Sequence, residues 1–503
     1  MSDGEQSQFE LVAGTEVCEF VLSDREVDII QGPLGSGKTR ALCARVMRHA
    51  QQQRVSKITG LRMSRWFLAR NTYPDLKTTT IRTWLEMFPE HIYGRFNWGQ
   101  PPAHKIRFGD VSLDIDFLAL DKPEDVRKLR STEYTGGGFN EIPFIDKEIF
   151  DEGTSRLRYP GASHGGSAWH GIIADANAPD EDHWLAIMTG QVDFPPNLTE
   201  DEKASYRWPE HWGFYKQPPA VLEVRDTHNT ITGYEVNQDA ENLHNLPPGY
   251  YAKQLFGKKK AWIDSRLRNV VALVVEGSPV YPEFVVDVHV SRDALRPIPG
   301  VQLTVGLDFG RQPAAIFMQA ANNRVYVQYE LLGHNESSVT FAPKVKRFIA
   351  EKYPEWELSQ VRFYGDPKGQ DKGQQSERTS YEIFEANGMV VRPPPGLRQN
   401  DITTRVSAVT SVHLEMSDGK PRYVLSPLCR TLKVAKAGRY HLIKEDDGVL
   451  RPKKDRYSNP ADAEQYGILG LGEGDKMVGR RPVGEARAVR AYSGRKTMRR
   501  IAG

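Results

Sequence analysis

Three cysteines in 503 residues, Cys18, Cys43 and Cys429, lie far apart and without metal-ligand spacing. Their scarcity excludes a disulfide-stapled secreted domain and a zinc cluster, and leaves three reduced, packed thiols. No run of about eighteen apolar residues appears, so no membrane-spanning helix is expected. The opening MSDGEQSQFE lacks a basic-then-apolar export pattern, and the expected place of action is the cytoplasm. Strong net charge is missing too: 67 Lys and Arg against 65 Asp and Glu give +2, too little to prove a polyanionic partner. Internal repeats and long low-complexity tracts are also missing. What is present is 39% hydrophobic residues over a length that exceeds one ordinary core, so two or more globular domains are expected.

The stretch VDIIQGPLGSGKTRALCARVM contains the pattern Gly, four residues, Gly, Lys, then Ser or Thr, filled here by Gly32, Pro33, Leu34, Gly35, Ser36, Gly37, Lys38 and Thr39. Residues 27–30 read as a short buried strand, and 39–50 carry Leu42, Val46 and Met47 at helical spacing. Strand, glycine loop and helix are the context a phosphate-binding loop requires. The glycines let backbone N–H groups turn inward around phosphates, and the helix N-terminus adds positive potential. Lys38 is expected to reach the β and γ phosphates of ATP, and the Thr39 hydroxyl to bind Mg²⁺. A glycine-rich turn that binds nothing would not call for a lysine there.

The α/β pattern continues. Residues 66–69 of RWFLARNTYPDL read as a strand that breaks at Arg70, Asn71 and Thr72. EYTGGGFNEIPFI offers Glu141 after a strand, where an ATPase needs a carboxylate to orient the attacking water, although three glycines stand where aliphatic residues are usual. GIIADANAPDEDHW places a strand at 171–173 before Asp175 and Asn177, a pair that could sense hydrolysis or simply form a turn. From about residue 191 to 248, proline-rich segments such as RWPEHWGFYKQPP interrupt any period and read as a lid or linker rather than more sheet. GKKKAW at 257–262 offers either phosphate contacts or an exposed basic turn.

A second domain opens at VQLTVGLDFGRQPAAIFMQ, with a strand at 302–309 carrying Asp308 and another at 324–333 carrying Glu330. VRFYGDPKG puts Asp366 at a strand end. SNPADAEQYGILG starts a helix with Asn459 as cap, Pro460 in the first turn and Asp462 just inside. Singly, aspartates are common at such places; as a set, Asp308, Asp366 and Asp462 can converge on a divalent ion, and oxygen ligands favour Mg²⁺ or Mn²⁺ over softer metals. Glu330 is the weaker candidate, bordering that site. From Lys476 onward the chain is rich in Arg and Lys with one acid, which suits nucleic acid or an acidic surface, or a solvated terminus without a specific role.

Taken in order, these segments resemble the large subunit of tailed-bacteriophage terminases, the DNA-packaging motors, over most of residues 20 to 470. After the phosphate loop, ARNTYPDLKTTTIRTW is similar to the segment following the family's second strand. LRSTEYTGGGFNEI with SRLRYPG is similar to the segment holding the catalytic carboxylate, here Glu141. DANAPDEDHW resembles the motif that couples hydrolysis to movement, here Asp175 and Asn177. VYPEF, VGLDFGRQPA, YGDP and NPADAEQY resemble the nuclease domain, with Asp308, Asp366 and Asp462 as its acids.

The resemblance implies an α/β chain: a phosphate-loop ATPase domain over 1–265 with a lid or linker subdomain from about 191, a linker over 266–299, a ribonuclease H-like nuclease over 300–475 and a basic tail over 476–503. It also implies an arginine that reaches a neighbouring subunit's nucleotide. EDVRKLRSTEY supplies Arg127 and Arg130, of which Arg130 adjoins the Glu141 segment; the alternative is a surface salt bridge. Two positions depart from the family's pattern. Asn140 stands where many phosphate-loop enzymes have the Asp that holds Mg²⁺ through water, leaving Thr39 as the main Mg²⁺ contact; Asn459 replaces a frequent His, and no ligand role is assigned to it.

The implied function is ATP-driven translocation of double-stranded DNA into a procapsid, with Mg²⁺- or Mn²⁺-dependent cutting of concatemeric DNA. The implied partners are DNA, the portal protein, the small terminase subunit and further copies of the chain in a ring, a pentamer. No membrane partner is implied. The place of action is the host cytoplasm, docked transiently on the procapsid and absent from the mature virion. Two other readings stay open: a cellular helicase-nuclease or DNA-repair ATPase, and a catalytically degenerate protein bridging DNA and capsid.

Overall fold

Val27, Ile29 and Ile30 belong to a strand, β1 (Val27–Gln31), in which every residue is buried, as in a parallel sheet covered on both faces. β1 lies inside an eight-stranded sheet of order β3-β4-β5-β2-β6-β7-β1-β8. The others are β2 (Arg62–Arg70), β3 (Phe96–Asn97), β4 (Ala103–Phe108), β5 (Val111–Ala119), β6 (Gly136–Phe139), β7 (Gly171–Ala176) and β8 (Gly213–Lys216). The strands from β5 to β8 along this order run parallel, and β4 and β3 close the far edge antiparallel. The computed structural model describes residues 10–120, 125–130, 132–194, 200–272, 278–371, 378–397, 400–444 and 449–473. The chain divides into two compact units, residues 1–276 and 277–503.

The glycines of β6 have a packing reason. A Cβ on Gly136 would stand 2.6 Å from the Trp66 ring, and one on Gly137 or Gly138 would overlap Phe67 or Leu68 of β2. Large side chains of the neighbouring strand fill the space that aliphatic residues on β6 would take. β6 thereby comes to lie flat between β2 and β7, with Asn140 and Glu141 emerging at its end.

Two sequence expectations need correction here. The segment from about 191 is not free of sheet: β8 pairs with β1 in parallel register, Asp28 opposite Gly213 through Gln31 opposite Lys216. Four residues between proline-rich flanks carry too short a period to read, yet the open edge of β1 receives them. After β8 come the hairpin β9 (Val221–Arg225) and β10 (Ile231–Val236) and a small core of Ala220, Val221, Tyr251, Ile263 and Leu267, against which Leu34 of the phosphate loop packs. Nor is 266–299 a simple linker: buried Leu267 belongs to that core, and Tyr281, Phe284 and His289 are buried in the second unit.

The second unit is built on a six-stranded sheet of order β16-β15-β12-β13-β14-β19. Its strands are β12 (Leu303–Asp308), β13 (Ala314–Ala321), β14 (Arg324–Leu332), β15 (Arg362–Gly365), β16 (Val391–Arg392) and β19 (Tyr423–Leu425). Smaller ladders join β11 (Ser278–Pro279), β20 (His441–Lys444) and β21 (Leu450–Pro452), and pair β17 (Met416–Ser417) with β18 (Lys420–Pro421). β12, β13 and β14 form an antiparallel meander, while β15 and β16 lie parallel beyond β12. Counted from β12 the order is 3-2-1-4-5 with one extra strand at the β14 edge, the ribonuclease H-like arrangement.

Alternation along β12 sets what faces what. Leu303, Val305 and Leu307 pack against the helix Ser338–Lys352, whose Phe341, Val345 and Phe348 recur at helical spacing. Gly306 faces the other way, toward the helix Ser458–Gly470. A Cβ on Gly306 would overlap the Ala463 carbonyl and stand 2.8 Å from the Gly467 amide nitrogen. That close approach sets Asp308, two residues on, on the face where Asp462 lies. The helix begins at Ser458 with Tyr457 as its cap residue, so Asn459 is inside the first turn and is not the cap. Cys18, Cys43 and Cys429 are all free and buried. Among the described residues no helix is long and apolar enough to cross a membrane.

Candidate functional site

The loop from Gly32 to Gly37 leaves β1 and enters the helix Lys38–Gln51 through Gly35 (φ 78°) and Gly37 (φ 85°), both in the left-handed region that glycine tolerates. No side chain caps this helix, so its first N–H groups face the loop. Remote residues brace the loop from behind. Ser36 Oγ donates to Gln217 Oε1 (2.7 Å), and Asn242 Nδ2 donates to the Gly35 carbonyl (2.8 Å). Nothing in the sequence pattern marked Gln217 or Asn242, because their roles come from the fold of a separate segment over the loop.

Lys38 is buried, and its ammonium donates to the Pro33 carbonyl (3.0 Å) and to Asn177 Oδ1 (2.8 Å). Burial pulls the Lys38 ammonium below its ordinary value, while Glu141 and Asp175 pull it back up. Thr39 Oγ1 donates to Asp175 Oδ2 (2.8 Å). Asp175 is the fifth residue of β7, paired with Ile30 of β1, and Asn177 follows that strand. Burial, reinforced by Glu141, raises the Asp175 carboxyl above its usual range, with Lys38 opposing.

Glu141 follows β6 with φ 56° and ψ 59°, a left-handed conformation costly for a residue with a side chain. Its carboxylate accepts from Asn177 Nδ2 (2.8 and 3.0 Å), and its own N–H donates to Asp175 Oδ1 (2.6 Å). Asn140 ties the strands together: its Oδ1 accepts from Arg70 Nη1 (2.8 Å) and Thr80 Oγ1 (2.7 Å), and its Nδ2 donates to both Asp175 oxygens (2.9 and 2.8 Å). Lys38, Thr39, Glu141, Asp175 and Asn177 therefore form one hydrogen-bonded cluster. Open backbone donors, one buried ammonium, a hydroxyl and strand-end carboxylates suit a magnesium nucleotide. Arg130 stands apart: it lies on the short helix Val126–Arg130, its side chain is 59% exposed, and it pairs with Glu152 at 3.4 Å.

In the second unit, Asp308 ends β12, Asp366 follows β15 and Asp462 lies in the helix Ser458–Gly470. Burial pushes Asp308 well above the usual carboxylate range, and Asp462 and Asp366 push it further, against Lys454 and Arg405. Asp308 and Asp366 come next after the paired residues Leu307 and Gly365 of neighbouring parallel strands, and the helix bearing Asp462 packs against Gly306 of β12, so the three acids lie toward one end of the sheet. Two of them have other commitments, however. Asp462 is ion-paired with Lys454 and, at 3.3 Å, with Arg405, and accepts from Tyr440 Oη (3.2 Å). Asp366 accepts from the Lys368 N–H and from Asn400 Nδ2, both at 2.9 Å.

Among the described residues no three His, Cys, Asp or Glu side chains are arranged to hold a metal ion. The oxygen donors match a hard divalent ion in chemistry, but the cations on Asp462 leave the expected ligand set unassembled. Glu330, the weaker candidate, accepts from the Thr431 and Leu432 N–H groups (both 2.8 Å) at the start of the helix Arg430–Val434. The basic tail from Lys476 lies outside the described residues.

No family model matches the chain, and no curated protein sequence matches it. Solved structures do resemble it. The large terminase of a thermophilic bacteriophage is 14% identical with a TM-score of 0.37, over 90% of this chain and 97% of that one. The HK97 bacteriophage large terminase is 12% identical with a TM-score of 0.36, over 92% and 95%. The P22 large terminase nuclease domain is 14% identical with a TM-score of 0.31, over 39% of this chain and 94% of that domain. The protein of the thermophilic phage has also been solved in complex with ATP-γ-S. Scores this low leave the functional reading to the side chains themselves.

Proposed function

We propose that this chain is a terminase large subunit: an ATP-driven motor moving double-stranded DNA into a procapsid, joined to an endonuclease that cuts concatemeric DNA. The observation that carries the reading is the union, in one chain, of two things. One is a phosphate-loop cluster built around Lys38, Thr39 and the strained Glu141; the other is a gathering of Asp366 with the buried Asp308 and Asp462 on a ribonuclease H-like sheet. A motor without the second, or a nuclease without the first, would need only half of this chain.

In this reading Lys38 holds the β and γ phosphates of ATP, and the Thr39 hydroxyl would help to hold Mg²⁺, which would supply positive charge against the phosphates. Glu141 orients the attacking water; its strained backbone fixes where that carboxylate points. Asn177 touches both Lys38 and Glu141, so a change on the phosphate side reaches the end of β7 directly. Together with Asp175 it forms the coupling pair. Arg130, exposed on its helix, completes the site of a neighbouring copy in a homo-oligomeric ring, a pentamer on the portal protein, with the small terminase subunit presenting DNA. Asp308, Asp366 and Asp462 are the acids of DNA cutting, with Mg²⁺ or Mn²⁺ as the ions their oxygens favour. The work is done in the host cytoplasm, on the procapsid.

The test uses the purified full chain. ATP hydrolysis is measured alone, with linear double-stranded DNA, and with DNA plus portal-bearing capsids; plasmid cleavage is measured in Mn²⁺. Hydrolysis that rises with DNA and again with portal supports the motor. A rise with DNA that ignores the portal favours a helicase-nuclease, and loss of both activities favours a bridging protein.

A further inference from the structure

We propose that Asp175 supplies the carboxylate that faces the nucleotide's magnesium, the acid and the amide of this site having exchanged strands. The proposal rests on the phosphate-loop reading above. Residue 140 sits where the Mg²⁺-holding acid of phosphate-loop enzymes is expected, at the end of β6, but an amide cannot supply charge to a cation's hydration shell. β7 lies between β6 and β1, with Phe139 paired to Ala174 and Ile30 to Asp175. The carboxylate therefore stands one strand nearer the phosphate loop than the position it replaces.

Three contacts fit this exchange. The Thr39 hydroxyl donates a hydrogen bond to Asp175 Oδ2 at 2.8 Å, which turns an oxygen lone pair outward for a cation. The Asn140 amide cannot be turned around, since Arg70 and Thr80 both donate to its oxygen, so its NH₂ must face Asp175 and donates to both carboxylate oxygens. The same NH₂ lies 3.2 Å from Thr39 Oγ1. An aspartate at 140 would set a second carboxylate against the first, and like charges at that spacing repel. One acid and one amide is thus the combination that this pair of positions accepts. Asp175 is fully buried and touches Thr39, Asn140 and the Glu141 N–H, so it is fixed in place before any ligand arrives.

The test is the affinity of the full chain for a fluorescent ATP analogue, measured in Mg²⁺ and in EDTA. The wild type is expected to bind at least about tenfold more tightly in Mg²⁺ than in EDTA, Asp175→Asn to lose that ratio, and the double variant Asn140→Asp with Asp175→Asn to regain it. Wild-type magnesium dependence in Asp175→Asn overturns the proposal. So does a folded double variant that fails to recover, because a purely structural role for Asp175 predicts that outcome. If Asp175→Asn does not fold, the double variant alone decides, since it restores one acid and one amide. Absence of nucleotide binding by the wild type would instead sink the phosphate-loop reading.

Discussion

In the first unit, Asp175 and Glu141 are held mainly by neutral donors: the Asn140 and Asn177 amides, the Thr39 hydroxyl and a backbone N–H. In the second, Asp462 is held by two cations, Lys454 and Arg405. Neutral donors fix a carboxylate's position and leave its charge for a ligand, whereas cations consume that charge. The first site is therefore set for its ligand as it stands. The second has its acids gathered but one of them neutralised, and it needs Lys454, whose side chain is 62% exposed and has room to leave, to release Asp462.

The largest effect belongs to the set site. Glu141→Gln is expected to slow ATP hydrolysis by about 10² to 10⁴-fold with binding retained, since only water activation is lost. Lys38→Ala is expected to lose binding as well. Both are checked by steady-state hydrolysis beside equilibrium binding of an ATP analogue, and hydrolysis by Glu141→Gln at the wild-type rate would remove Glu141 from its role.

Next comes the clamp on Asp462. Arg405→Met leaves a buried acid without its buried partner and is expected to cost about 3–5 kcal/mol in the unfolding of the second unit, read from its denaturant midpoint. Lys454→Ala, which removes the exposed partner of the same buried carboxylate and leaves Arg405 in place, is expected to cost less, about 1 kcal/mol. Equal effects would mean that burial does not separate the two cations.

Asp308→Asn should lower plasmid cleavage in Mn²⁺ by on the order of 100-fold while ATP hydrolysis stays intact, because the two clusters lie in different units. Undiminished cleavage would remove Asp308 from the cutting site. The smallest effect on stability is that of Arg130→Ala, whose surface pair with Glu152 is worth about 0–1 kcal/mol. Its effect on hydrolysis should emerge only in assembled rings. Mixing it with Glu141→Gln should restore some hydrolysis at mixed interfaces, and no rescue in rings known to be mixed would count against action in trans.

The legible parts of the sequence were those with a local signature. The phosphate loop, β1, β12 and the helix bearing Asp462 could be read because burial and periodicity are written into adjacent residues. β8 could not, since four residues between prolines become a strand only because β1 offers an open edge. The glycines of β6 were a puzzle in sequence and are explained by Trp66, Phe67 and Leu68 on the neighbouring strand. Asn459 read as a cap from composition, but the chain turns helical earlier, at Ser458. Gln217, Asn242, Lys454 and Arg405 carried no signal at all, because each meets its partner only through tertiary folding.

The most direct measurement is packaging: linear double-stranded DNA, purified portal-bearing empty capsids, ATP and this chain, scored as DNA protected from added nuclease. Protected DNA that accumulates with the wild-type chain, and neither with Glu141→Gln nor without ATP, is the predicted result. Hydrolysis of ATP by the wild type with no protected DNA, in capsids that a matched motor can fill, would contradict the account.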